Sequence, residues 1–127
     1  MTSTTTVIDR LVEAINAHDL DAIETCFAPG YSVTTPAHPA RSFTGRENVR
    51  RNWEGILAAH PTVYARAESR VHSGDEIWAE WEYTSDVGEH GQFWFRGVAI
   101  TVISQGVIES ARFYVEPVDT EGSPVRW

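Results

Sequence analysis

The chain is 127 residues long with 10 basic and 18 acidic side chains, a formal net charge of −8 at pH 7. That balance excludes a nucleic-acid grip or an anionic membrane surface, both of which need clustered positive charge. The length suits one domain spanning 1–127, and the single Cys26 excludes an internal disulfide or a multi-cysteine zinc site. No apolar run approaches the ~20 residues of a membrane span, and no charged-then-apolar leader opens the chain, so a cytoplasmic protein is expected. Five Trp, five Phe and four Tyr stand out and need a physical reason.

The first half reads helical. Val7, Ile8, Leu11, Val12 and Ile15 recur at helical spacing behind Thr6 and Asp9, which have the form of a capping box. Asp19 is placed to cap a second short helix that carries Leu20, Ile23, Cys26 and Phe27 inward and ends before Pro29-Gly30. Tyr31 to Thr35 is a short β-prone stretch, followed by a Pro/His/Ala loop up to Arg41. Thr44-Gly45-Arg46-Glu47 reads as another capping box. It opens a third helix with Val49, Trp53, Ile56 and Leu57 on one face, stopped by Pro61.

From Thr62 the period becomes two. Residues 62–73 set Val63, Ala65, Ala67, Ser69 and Val71 against Tyr64, Arg66, Glu68, Arg70 and His72. Ser73-Gly74-Asp75 is a turn, and residues 76–87 set Ile77, Ala79, Trp81 and Tyr83 against Trp78, Glu80, Glu82 and Thr84. Residues 92–103 and 107–116 form a hairpin. A type I turn with Gly106 in a left-handed bulge would pair Ile103 with Val107. Phe93, Phe95, Gly97, Ala99, Thr101, Ala111, Phe113 and Val115 then share the inner face. Arg96, Ile108, Arg112 and Glu116 go outward, where opposite charges can ladder across strands with Arg66, Glu68, Arg70, Glu80 and Glu82. Three helices followed by an antiparallel meander make an α+β pattern, with a core over about residues 5–117 and a tail over 118–127.

Several stretches, in this order, resemble the nuclear transport factor 2-like superfamily in its SnoaL-like and ketosteroid-isomerase-like branch. They are Ile15-Asn16-Ala17-His18-Asp19-Leu20-Asp21-Ala22-Ile23, Phe43-Thr44-Gly45-Arg46-Glu47-Asn48-Val49, Gly74-Asp75 before a strand, and Gly106-Val107-Ile108-Glu109 leading to Tyr114-Val115-Glu116-Pro117. The resemblance implies a cone-shaped, strongly curved antiparallel sheet wrapped around three helices, a cystatin-like α+β barrel with an apolar pocket. It also implies a hydrophobic small-molecule ligand, no cofactor, and a homodimer through the outer sheet face. On that fold, Tyr31, Thr35, Trp53, Trp81, Phe93, Phe95 and Phe113 are the expected pocket residues.

The family's isomerase chemistry does not carry over. Its donor tyrosine falls at Leu11, its base at Thr35 before Pro36, and its second acid near Ala99. The epoxide-hydrolase triad falls near Trp81, Tyr83 and Phe113 and is equally missing, while the acid of the cyclases corresponds to Glu116. The remaining catalytic candidates are His38 on the loop near the pocket mouth, Tyr83 as hydrogen-bond donor, and Asp86 with His90 as an acid–base pair at the rim. No histidine pair has metal-ligand spacing, so no metal is expected. Three readings stay open: a cofactor-free isomerase, cyclase, dehydratase or hydrolase; a non-catalytic binding or dimeric accessory protein; and an interaction domain whose cone is plugged by its own rings.

Overall fold

A computed structural model describes residues 6–85 and 93–119. Helix α1 (Val7–Asn16) begins where the Thr6 hydroxyl accepts from the backbone N–H groups of Ile8 and Asp9 at 3.1 and 3.3 Å. The Asp9 carboxylate returns the bond to the Thr6 N–H at 2.9 Å, completing the capping box. Asp19 caps helix α2 (Leu20–Thr25) through the Ala22 N–H at 3.1 Å. Phe27 departs from expectation: the helix stops at Cys26, and Phe27 opens strand β1 (Phe27–Thr34). The Ile108 N–H donates to the Cys26 carbonyl at 2.8 Å, so the sheet captures the backbone just where the helix would have continued.

After a 3₁₀ turn at Pro39–Arg41, strand β2 (Phe43–Thr44) pairs with β1, and helix α3 runs from Arg46 to Ala59. The capping box expected at Thr44 does not form. Gly45 is the N-cap and makes no side-chain cap bond, because Thr44 is committed to the β2 ladder opposite Ser32.

Strands β3 (Tyr64–Ser73), β4 (Glu76–Thr84), β5 (Trp94–Ser104) and β6 (Val107–Pro117) complete a six-stranded sheet of order β2-β1-β6-β5-β4-β3. The sheet is curved and unclosed. It is also mixed rather than antiparallel, since β1 lies parallel to β6 with Val33 opposite Ala111.

Two bulges alter the expected faces. Between Glu68 and Val71 the β3–β4 register shifts, with Ser69 at φ 54. Beyond it Val71 lies opposite Trp78 on the outer face, Ser69 is exposed, and Arg70 turns to the helix side. The charge ladder is correspondingly incomplete. Arg66 and Arg96 both pair with Glu82, and Arg112 with Glu76, but Glu68 faces the like-charged Glu80.

The last hairpin closes differently from expectation. Gln105 (φ 52) and Gly106 (φ 78) form a two-residue turn with Ser104 opposite Val107, a geometry in which both residues need positive φ. Glu109 then bulges, so Ile103 faces Ile108 while Val102 faces Ser110. The bulge restores the parity that the short turn alone would have shifted, and the rings of β5 and β6 face inward as read. Ile108 lies before the bulge and is turned inward, 1 % exposed, instead of outward. Gly97 permits the close approach of these strands: a side chain there would sit 2.1 Å from the Tyr114 carbonyl oxygen.

Candidate functional site

Helix α1 and helix α3 cross the concave face of the sheet without filling it, leaving a cavity of about 450 Å³. Its floor is aliphatic, with Leu11 and Ile15 from α1, Ile108 and Ala111 from β6, and Ala99 from β5 all buried. All seven residues expected to face a pocket line it: Tyr31, Thr35, Trp53, Trp81, Phe93, Phe95 and Phe113. Alternation along the strands brings most of them there, since Trp81 and Tyr83 are two apart on β4, as are Phe95 in β5 and Phe93 just before it.

The rings pack against one another around the void rather than across it. Trp81 and Tyr83 stack with centroids 5.5 Å apart, and Trp53 tilts onto Tyr83 at 5.6 Å. Phe27, Tyr31 and Phe43 form an edge-to-face chain with centroids 4.7 and 6.2 Å apart. Such contacts fix the ring planes and hold open a wall that could not otherwise keep its shape.

The polar groups of the cavity are few. Tyr83 and Tyr31 are both buried, and burial pushes the two phenols well above their ordinary pKa, with repulsion between their ionised forms adding to the rise at Tyr83. Both therefore stay protonated at neutral pH and able to donate. The Thr101 hydroxyl already donates to the Ile77 carbonyl at 3.2 Å. Thr35 closes its loop, with its N–H donating to the Ser42 hydroxyl at 3.0 Å and its carbonyl accepting from the His38 N–H at 2.9 Å. At the rim stand two exposed residues that sequence reasoning missed, Arg41 and Asn52. The signal for Arg41 was local: no acidic residue lies within five positions of it. Among the described residues, no Asp, Glu or His lines the cavity.

The catalytic candidates divide. Tyr83 is in the wall. His38 does not line the cavity, and its Nε2 lies 2.8 Å from Oε1 of Glu116. Asp86 and His90 lie outside the described residues. Cys26 is buried, its thiol pushed up by burial against the opposing charge of Arg10, with Sγ 3.4 Å from the Ala22 carbonyl. No group of three or more metal-ligating side chains occurs among the described residues, and no helix among them is long and apolar enough to cross a membrane.

A family model described as a SnoaL-like domain matches residues 8–111. No curated protein matches the sequence. Among solved structures, IdmH, a candidate polyketide cyclase from Streptomyces antibioticus, aligns with a TM-score of 0.73 at 18% identity, over 87% of this chain and 89% of that one. A hypothetical protein from Catenulispora acidiphila with a ketosteroid isomerase-like fold, solved in complex with trimethylamine, aligns with a TM-score of 0.72 at 19% identity, over 87% of both chains. A candidate SnoaL-like polyketide cyclase from Jannaschia reaches 0.69 at 16% identity, over 91% of this chain and 90% of that one. At these identities the likeness is one of fold.

Proposed function

This chain belongs to the SnoaL-like domain family, and on that premise we propose that its cavity takes a hydrophobic, oxygen-bearing small molecule whose carbonyl accepts hydrogen bonds from Tyr83 and Tyr31. One observation carries the reading: a ring-lined void of about 450 Å³ whose buried walls offer two phenols held in their protonated form. A volume of that order suits a ligand of two to four fused rings. Binding is the simplest use of such a site, because no proton acceptor faces it among the described residues.

A cofactor-free acid–base enzyme of the isomerase, cyclase, dehydratase or hydrolase kind is the second reading. Two neutral donors on one carbonyl are what an enolate-forming step requires, and the neighbours carrying cyclase names favour it. Its base would be Asp86 or His90, since His38 does not line the cavity. In either reading the molecule is proposed to be a cytoplasmic homodimer through the outer sheet face. Tyr64, Val71, Trp78 and Tyr114 are exposed there by 53%, 60%, 41% and 42%.

Titration calorimetry with 2-acetylnaphthalene and 2-ethylnaphthalene tests the binding site. The ketone should bind more tightly than the hydrocarbon, and Tyr83→Phe should narrow the gap. Binding of neither probe would overturn the proposal. Deuterium entry at the ketone's methyl group in heavy water, above the protein-free rate and lost in His90→Ala or Asp86→Asn, would establish the enzymatic reading.

A further inference from the structure

We infer that the cavity selects an amphipathic anion: an aromatic body within the ring-lined interior and a carboxylate held at the mouth by Arg41. The inference rests on the pocket reading above and names the class of ligand that pocket would take.

Arg41 differs from every other described arginine. Arg50, Arg66, Arg70, Arg96 and Arg112 each pair with a carboxylate. Arg10 and Arg46 donate to the carbonyls of Gly106 and Phe27, and Arg51 donates to the Asn48 side chain. The Arg41 guanidinium alone has no acceptor among the described residues, in a chain with 18 acidic side chains available. Yet it lines the cavity, and its backbone is firmly mounted. The Arg41 N–H donates to the His38 carbonyl at 2.9 Å and the Ser42 N–H to the Pro39 carbonyl at 3.0 Å, while His38 is itself pinned to Glu116. An exposed fork of donors on a fixed backbone, without an acceptor among the described residues, is poised for a planar acid.

The rest of the site agrees in charge. No carboxylate lines the cavity among the described residues, so none of those residues repels an anion or holds a cation there. Asn52, exposed on α3 at the same rim, adds an amide donor. Ring faces by themselves would attract an ammonium group. The guanidinium at the entrance reverses that preference for any ligand whose charge must stay at the water boundary.

Three probes of one shape separate these outcomes by calorimetry: 2-naphthoate, methyl 2-naphthoate and 2-naphthylmethylammonium. The wild-type protein should bind the acid about fivefold more tightly than the ester at low salt, with the advantage shrinking at about 0.5 M salt. Arg41→Gln should bring acid and ester together by weakening the acid, with little change in melting temperature, since the side chain has no hydrogen bond or ion pair among the described residues to lose. Arg41→Glu should turn the preference toward the ammonium probe. An ester that binds as well as the acid to wild type, an ammonium probe preferred by it, or an acid preference surviving in Arg41→Gln would overturn the inference and leave the pocket reading standing. Failure of all three probes to bind would remove the pocket reading and this inference with it.

Discussion

Arg70 reaches from the bulge of β3 to helix α1, where its Nη1 lies 2.5 Å from Oδ1 of Asp9. The same carboxylate caps the helix through the Thr6 N–H. One acidic side chain thus serves both the start of α1 and the junction between α1 and the sheet that walls the cavity. Asp9→Ala should cost about 1–2 kcal/mol in urea unfolding, more than Arg70→Ala, which leaves the cap intact. In the double variant the two losses should fall short of their sum. Strict additivity would show that the pair contributes nothing beyond its separate contacts.

Acid should weaken the fold through two carboxylates. Burial alone would raise the Asp9 carboxyl, but the Thr6 N–H and Arg70 outweigh it and hold the group below its ordinary value of 3.8. Bonds from Arg66 and from the Trp94 indole hold Glu82 below its ordinary 4.5. A lowered folded-state value means stability that is fully present above the ordinary pKa and is lost as pH falls through the folded one. Urea midpoints should therefore be level from neutrality to about pH 5 and decline below it. Glu82→Gln should lower the plateau and flatten the decline. An unchanged slope would assign the acid loss to other groups.

Gly97→Ala should be among the most damaging single-atom additions in the chain. The new methyl would meet the Tyr114 carbonyl oxygen at 2.1 Å and the Val115 Cα at 2.6 Å, both backbone atoms with little room to retreat. A loss of about 2–4 kcal/mol is expected, measured as the shift in thermal midpoint. A variant within about 0.5 kcal/mol of wild type would mean that β5 and β6 can separate locally at little cost.

On the outer face, Trp78→Glu should convert the proposed dimer to monomer in light scattering across a micromolar concentration series. It places a charge beside exposed Val71, its register partner. Circular dichroism should be unchanged, because Trp78 contributes nothing to the interior. A wild type that is monomeric at all concentrations would refute the dimer outright.

What could be read from the sequence was whatever repeats. The caps of α1 and α2 follow from Thr6, Asp9 and Asp19, and alternation placed Trp81, Tyr83, Phe95 and Phe113 on the inner wall. Single-residue irregularities leave no such trace. Ser69 adopts a left-handed conformation without being glycine, so nothing marked the bulge that sends Val71 out and Arg70 to Asp9. The hairpin shows the same limit. Beyond Glu109 its rings face inward as expected although the turn differs and Ile108 turns in, because the two-residue turn and the Glu109 bulge each shift the register and their effects cancel. Phe27 looked like the end of a helix because apolar residues suit either element. Its strand is settled by pairing with Ile108, 81 positions on, whose N–H donates to the Cys26 carbonyl. The absence of acidic residues within five positions of Arg41 hints locally at an unpaired cation, but its place at the cavity rim depends on three-dimensional packing that no local pattern encodes.

That β6 lies between β1 and β5 also constrains the order of assembly on the ribosome. Everything from α1 through β5 can emerge while the two halves of the sheet have no shared edge. Ile108, Ala111, Phe113 and Val115, which form one wall of the cavity, are supplied only when the last strand threads into the gap. Long-range pairings of this kind are slow to form. Until they do, two unpaired strand edges and a ring-lined trough stand open to neighbouring chains. The window of greatest aggregation risk therefore lasts until β6 is in place, and a ligand that fills the trough would be expected to shorten it.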